Sequence, residues 1–167
     1  MTKIYCSANF GTKNDLISLA LVSEFGDMFY AEIKNNDLIL GKIQQIYIDI
    51  DKSSLCFLNH NLYQYSSYIY INEKETYNIF IKNDSTQVLT FIQKWITKFN
   101  EILLITDMPK NAFFTNISFN YKQVRPSNEI VTDTLSYTCQ KYFESICGKK
   151  ENNSMIRTLK IMNNDSL

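Results

Sequence analysis

The sequence predicts an α/β domain: a mixed central sheet that opens with an antiparallel three-strand meander and carries flanking helices. Three observations predict it. Short apolar runs at residues 16–23 and 28–33 meet through Glu24-Phe25-Gly26-Asp27, where Gly26 can supply the positive φ of a tight turn. Val88, Phe91, Ile92, Trp95, Ile96 and Phe99 recur at the spacing of one buried helical stripe. The run EILLIT at residues 101–106 then reads as a continuously apolar strand, covered on both faces as parallel strands usually are. A chain of 167 residues fits one domain, residues 1–167, with one core.

The elements follow in order. Residues 3–8 are short and apolar and open the meander that residues 16–23 and 28–33 continue. Residues 43–51 alternate Ile46, Ile48 and Ile50 against Tyr47, Asp49 and Asp51, the pattern of an additional exposed strand. Residues 68–71 and 77–81 are further strands or extended loop pieces. Asp84-Ser85 supplies an N-cap for the helix of the Val88 stripe. A second amphipathic helix runs over residues 132–147, with Leu135, Cys139, Tyr142, Phe143 and Ile146 on one side and Gly148 at its C′ position. A short helix over residues 153–162 comes last. Four glycines and two prolines, with no linker-like stretch and no repeat period, mark no domain boundary. Three strands in a meander, then helix, strand, helix, helix, is the element order of the RNase H-like fold.

Seventeen basic and 17 acidic side chains cancel, so no global field draws the chain to phosphate backbones or anionic lipid, and any nucleic-acid contact would be local. The apolar runs at residues 16–22 and 101–105 fall far short of the roughly 20 residues that span a bilayer. The first residues, Met1-Thr2-Lys3-Ile4-Tyr5, have no secretory leader pattern, and the expected location is cytoplasmic. Cys6, Cys56, Cys139 and Cys147 have no CxxC or Cys/His metal spacing and read as reduced core residues. His60, in a polar turn-like stretch, reads as a surface loop histidine without a second His to share a metal.

MTKIYCSANF at residues 1–10 and DLISLALVSEFGDMFYAE at residues 15–32 closely resemble DnaQ-like 3′–5′ exoribonucleases of the RNase T type, members of the DEDD group. In that family the first strand carries Asp-x-Glu, and the aligned positions here are Ser7 and Asn9. Trp95, the strand after it and Thr106-Asp107 look like the family's helix, strand and Ser-Asp signature. About five residues later the family places a metal-binding aspartate, and this chain has Ala112, or Asn111 one residue earlier. The family's last helix carries His-x-Ala-Leu-x-Asp-Ala, and NNSMIRT at residues 152–158 sets Asn152 at the His and Arg157 at the Asp. The resemblance covers the first third and the last 80 residues and leaves residues 34–83 out.

The resemblance therefore implies a nuclease layout without its acids. Two-metal phosphodiester cleavage needs carboxylates that hold two divalent cations about 4 Å apart, and Mg²⁺ wants anionic oxygens at about 2.1 Å. Ser7 and Asn9 offer neutral oxygens, Ala112 offers none, and Arg157 brings positive charge to the place of a metal. The expectation is a catalytically inactive, cofactor-free domain that serves as a protein- or self-interaction module. Relatives of the fold commonly dimerise, so the expected partner is a second copy or another protein, with single-stranded RNA or DNA as a second class. The alternative is an active Mg²⁺- or Mn²⁺-dependent 3′–5′ exoribonuclease rebuilt on Asp49, Asp51, Asp107 or Glu24.

Each of these residues has a plainer reading. Ser7 and Asn9 fit ordinary strand positions in a site filled by side chains. Arg157 is either a solvated helix residue or the partner of an acid such as Asp107. Asp49 and Asp51 suit an edge strand protected against aggregation, and Tyr63, Tyr65, Tyr68 and Tyr70 suit sheet packing as well as base stacking or an interface.

Overall fold

The computed structural model describes residues 1–10, 15–34, 64–109, 119–149 and 152–165. The strands are β1 (Thr2–Phe10), β2 (Leu16–Ser23), β3 (Met28–Ile33), β4 (Gln64–Ile71), β5 (Lys74–Asn83), β6 (Ile102–Thr106) and β7 (Asn120–Gln123); the helices are α1 (Ser85–Ile96), α2 (Leu135–Cys147) and α3 (Ser154–Asp165). The seven strands form one mixed sheet in the order β4-β5-β3-β2-β1-β6-β7. β1, β2 and β3 make the expected antiparallel meander. β6 lies parallel to β1 on one side and to β7 on the other, and its faces are buried because Leu104 enters the core under α1 and Ile105 the core under α2 and α3.

Two apolar cores share this sheet. Ile4, Cys6, Leu19, Leu21, Phe29 and Leu104 point to the α1 face, where Val88, Ile92 and Trp95 meet them. Tyr5, Ala20, Val22, Tyr30 and Ile105 point to the other face, under Cys139 and Phe143 of α2 and Met155, Leu159 and Met162 of α3. The strand period of two makes this division: alternate residues of β1 and β2 serve opposite layers.

Local signals set the helix ends. The Asp84 carboxylate accepts from Gln87 N at 2.9 Å, the N-cap bond expected from its residue type. Thr134 caps α2 by accepting from Tyr137 N at 3.2 Å, and residues 132–133 form a turn ahead of it. α1 stops at Ile96, so Phe99 contacts Trp95 from the following turn, with ring centroids 5.1 Å apart. Trp95 Nε1 donates to Tyr77 O at 3.1 Å and ties the helix to β5.

Residues 68–71 and 77–81 belong to a longer hairpin than the sequence predicts. It turns on Asn72 and Glu73, both at positive φ (49° and 65°). β5 runs parallel to β3, so the sheet continues beyond the meander. β7 has no counterpart among the expected elements. The strand expected at residues 43–51 lies outside the described residues, as do Cys56 and His60. Cys6, Cys139 and Cys147 are buried free thiols. No described helix is long and apolar enough to cross a membrane.

Candidate functional site

The site lies where the C-terminal ends of β1 and β6 meet α3. On β1, Ile4, Cys6 and Ala8 face α1, which leaves Ser7 on the face that α3 covers. Ser7 is fully buried, and its hydroxyl donates to Asp107 Oδ1 at 3.0 Å. Asp107 follows directly on β6, and Thr106 Oγ1 accepts from Met108 N at 3.1 Å, which holds the chain there. The Tyr121 hydroxyl donates to the Met108 carbonyl from the neighbouring β7.

α3 carries the opposing charge. Arg157 Nη2 donates to Asp107 Oδ2 at 2.6 Å, while Nη1 donates to Asn9 Oδ1 at 2.7 Å and to Ala8 O at 3.2 Å. The pairing of Arg157 with an acid such as Asp107 is therefore present. Asn9 in turn donates through Nδ2 to Asn152 O at 3.3 Å. Asn152 thus meets the site through its carbonyl.

The seat of α3 is polar and specific. Ser18 Oγ donates to Ser154 Oγ at 3.0 Å, and Thr158 Oγ1 donates to Ser154 O at 2.8 Å and to Ala20 O at 3.4 Å. Asn153 Oδ1 accepts from Met155 N at 2.7 Å at the helix start, and its Nδ2 donates to the Tyr30 hydroxyl at 2.8 Å. Tyr30 donates to the carboxylate of buried Glu32. Sequence reading missed this Tyr30–Glu32–Asn153 network. Its signal was available: Tyr30 and Glu32, two apart in an otherwise apolar strand, share one face and need partners there.

The electrostatics favour a closed ion pair over a metal. Asp107 spends one carboxylate oxygen on Ser7 and the other on Arg157, whose side chain is 34% exposed against 9% for Asp107. Ser7 and Asn9 bring neutral oxygens, and a divalent cation placed here would face a guanidinium. The described side chains at this site do not fit two divalent cations. Burial pushes the Cys6 thiol well above its ordinary pKa; the Asp107 charge adds to this and the Arg157 charge opposes it, so Cys6 stays a neutral thiol beside the pair.

Of the remaining acids of the rebuilt-site alternative, Glu24 is the one among the described residues, and it does not converge on Asp107. Glu24 Oε1 accepts from Lys3 N at 3.1 Å, near the start of β1 and four residues from Ser7. Four residues of strand span roughly 13 Å, so Glu24 is no partner of Asp107 and drops out of that set. Asp49, Asp51, Asn111 and Ala112 lie outside the described residues.

Asp107 also borders an open cleft of about 720 Å³ with Gln123, Val124, Arg125 and Pro126. A larger hollow of about 870 Å³ lies at the other end of the sheet, where Lys98 pairs with buried Asp27. The chemistry-bearing residues sit at the smaller one. The chain matches no family model and no curated protein.

Proposed function

We propose that the chain is a catalytically inactive, exonuclease-like domain of the DnaQ-like, RNase T type, kept as a protein- or self-interaction scaffold. One observation carries the reading. The Arg157 guanidinium bridges Asp107, Asn9 and the Ala8 carbonyl where the resemblance implies acid-held metals. A metal-dependent hydrolase needs negative charge there to gather cations, and Asp107, the one carboxylate at this site among the described residues, is neutralised internally by Arg157. The antiparallel meander, the helix α1 followed by β6 parallel to β1, and the two closing helices support an RNase H-like fold, with the β4–β5 hairpin and β7 as additions to the expected order. Free thiols at Cys6, Cys139 and Cys147 support a reducing, cytoplasmic setting.

The deciding experiment is incubation of 5′-labelled single-stranded RNA with the protein and Mg²⁺ or Mn²⁺, with and without chelator. The expected outcome is no chelator-sensitive shortening. Metal-dependent trimming would instead return the active exoribonuclease.

Exposed Arg125 on the cleft beside Asp107 favours a second reading, a non-catalytic binder of single-stranded RNA or DNA. Fluorescence anisotropy of a labelled oligonucleotide tests it. Binding at about 50 mM salt that weakens steeply as salt rises would support it, and flat anisotropy would remove it.

A further inference from the structure

The hollow of about 870 Å³ at the opposite end of the sheet from Asp107 has a chemistry of its own. Three chain segments meet there: the β2–β3 turn with Phe25 and Asp27, the start of β5 with Lys74 and Glu75, and the stretch between α1 and β6 with Lys98, Phe99 and Glu101. Asp27 locks them together. Its buried carboxylate accepts from Ser23 Oγ at 2.7 Å, from Tyr77 N at 2.8 Å and from Lys98 Nζ. Asp27 is thereby satisfied, and the Lys98 ammonium is fixed at the wall of the hollow.

Two ammonium groups here have donors to spare. Lys98 gives one of its N–H groups to Asp27, and its side chain stays 38% exposed. Lys74 Nζ lies 4.5 Å from the centre of the Phe25 ring, a contact with a ring face rather than with a hydrogen-bond acceptor. Among the described residues, neither ammonium has a further acceptor. The walls between them are flat and apolar: Phe25 is 40% exposed even under Lys74, and Phe99 is half-buried. The volume falls in the range of small-molecule sites, about 300–1,000 Å³.

We propose that this hollow binds a small aromatic carboxylate, its anionic group taken by the ammoniums of Lys74 and Lys98 and its ring laid against Phe25 and Phe99. A carboxylate suits ammonium donors, and a planar ring suits the phenylalanine faces. A single negative charge is the limit. Glu75 and Glu101 also line the hollow, both exposed, and they repel a phosphate dianion or a polyanion more strongly than a monoanion. Water reaches the open hollow and keeps each charge contact weak, so the dissociation constant is on the order of 1 mM. The hollow shares no residue with the Asp107 site, so the inference stands or falls apart from the proposed function.

The test is an amide chemical-shift titration of the isotope-labelled full chain with naphthoate as the probe. Saturable shifts should gather at Phe25, Lys74, Lys98 and Phe99. Naphthylmethanol, the same ring without the charge, should bind about three- to five-fold more weakly, and Lys74→Gln should weaken naphthoate by about the same factor. Phe25→Ser should weaken both probes. Each variant should keep the circular dichroism of the wild type, because both positions are exposed. Shifts that do not saturate, shifts that gather elsewhere, or a naphthoate affinity that neither variant changes would overturn the inference, and so would equal binding of the two probes.

Discussion

Arg157 donates to three acceptors while Asp107 accepts from two donors, so neither charge can be removed without stranding the other. The pair lies between the buried and the surface limits, because the arginine is a third exposed. Arg157→Ala and Asp107→Ala should each cost about 1–3 kcal/mol, with a coupling of about 1–2 kcal/mol in the double-mutant cycle, measured by urea unfolding. Additive losses would show that the two ions do not stabilise each other. The same chemistry can be run backwards. Ser7→Asp, Asn9→Glu and Arg157→Asp together replace a cation by three carboxylates, so Mn²⁺ at about 100 times its Kd should stabilise that variant by about 2.7 kcal/mol. Thermal melts with Mn²⁺ and with chelator check it. The wild type should melt at one temperature in both.

At the scale of elements, α3 is fastened at its far end by Asp165, which accepts from Tyr5 OH at 2.8 Å and Lys3 Nζ at 3.1 Å. Burial alone would raise the Asp165 pKa, but the hydrogen bonds from Tyr5 and Lys3 and the charges of Lys3 and Lys122 outweigh it and hold it below the ordinary value. A depressed carboxylate contributes stability that is full above its unfolded pKa of about 4 and fades as pH falls through the folded value. Asp165→Asn should therefore lose stability at neutral pH and flatten the acid limb of a urea-midpoint profile. Tyr5 is shifted the other way, burial being the first cause and Asp165 the next, so its share is full below about pH 10 and fades above it.

The β4–β5 turn offers an opposite change. Glu73 sits at φ 65°, where a side chain costs about 1 kcal/mol and glycine costs little. Glu73→Gly should raise the urea midpoint by about 0.5–1 kcal/mol of stability at unchanged slope.

These elements also mark how much the sequence discloses. The stripe from Val88 to Trp95 and the EILLIT run were legible because period and burial agree in them. β7 was not, since Asn120–Gln123 is three polar residues around a single Tyr121 and becomes a strand only by pairing with β6. Positions Ser7 and Asn9 rested on a dense local match. Which acid Arg157 meets depended on a tertiary contact 50 residues away, so Asp107 could be named only as one option.

At the scale of the whole molecule, two cores lie on opposite faces of one sheet and have no independent existence, because the same strands supply both. Every second residue of β1, β2 and β3 belongs to the other layer, so loosening one face withdraws the support of the other. Trp95, the chain's one tryptophan, is fully buried on the α1 face and reports on that core alone. Phe143 is fully buried on the α2 face, with its ring 5.0 Å from Tyr30 and 5.7 Å from Phe80. Phe143→Ala should cost about 3–5 kcal/mol through lost burial and a cavity. If the sheet couples the layers, the Trp95 fluorescence midpoint in urea should fall by the same amount as the circular dichroism midpoint, although no atom near the indole has changed. A Trp95 transition that stays in place while the ellipticity midpoint moves would mean that the two faces unfold separately.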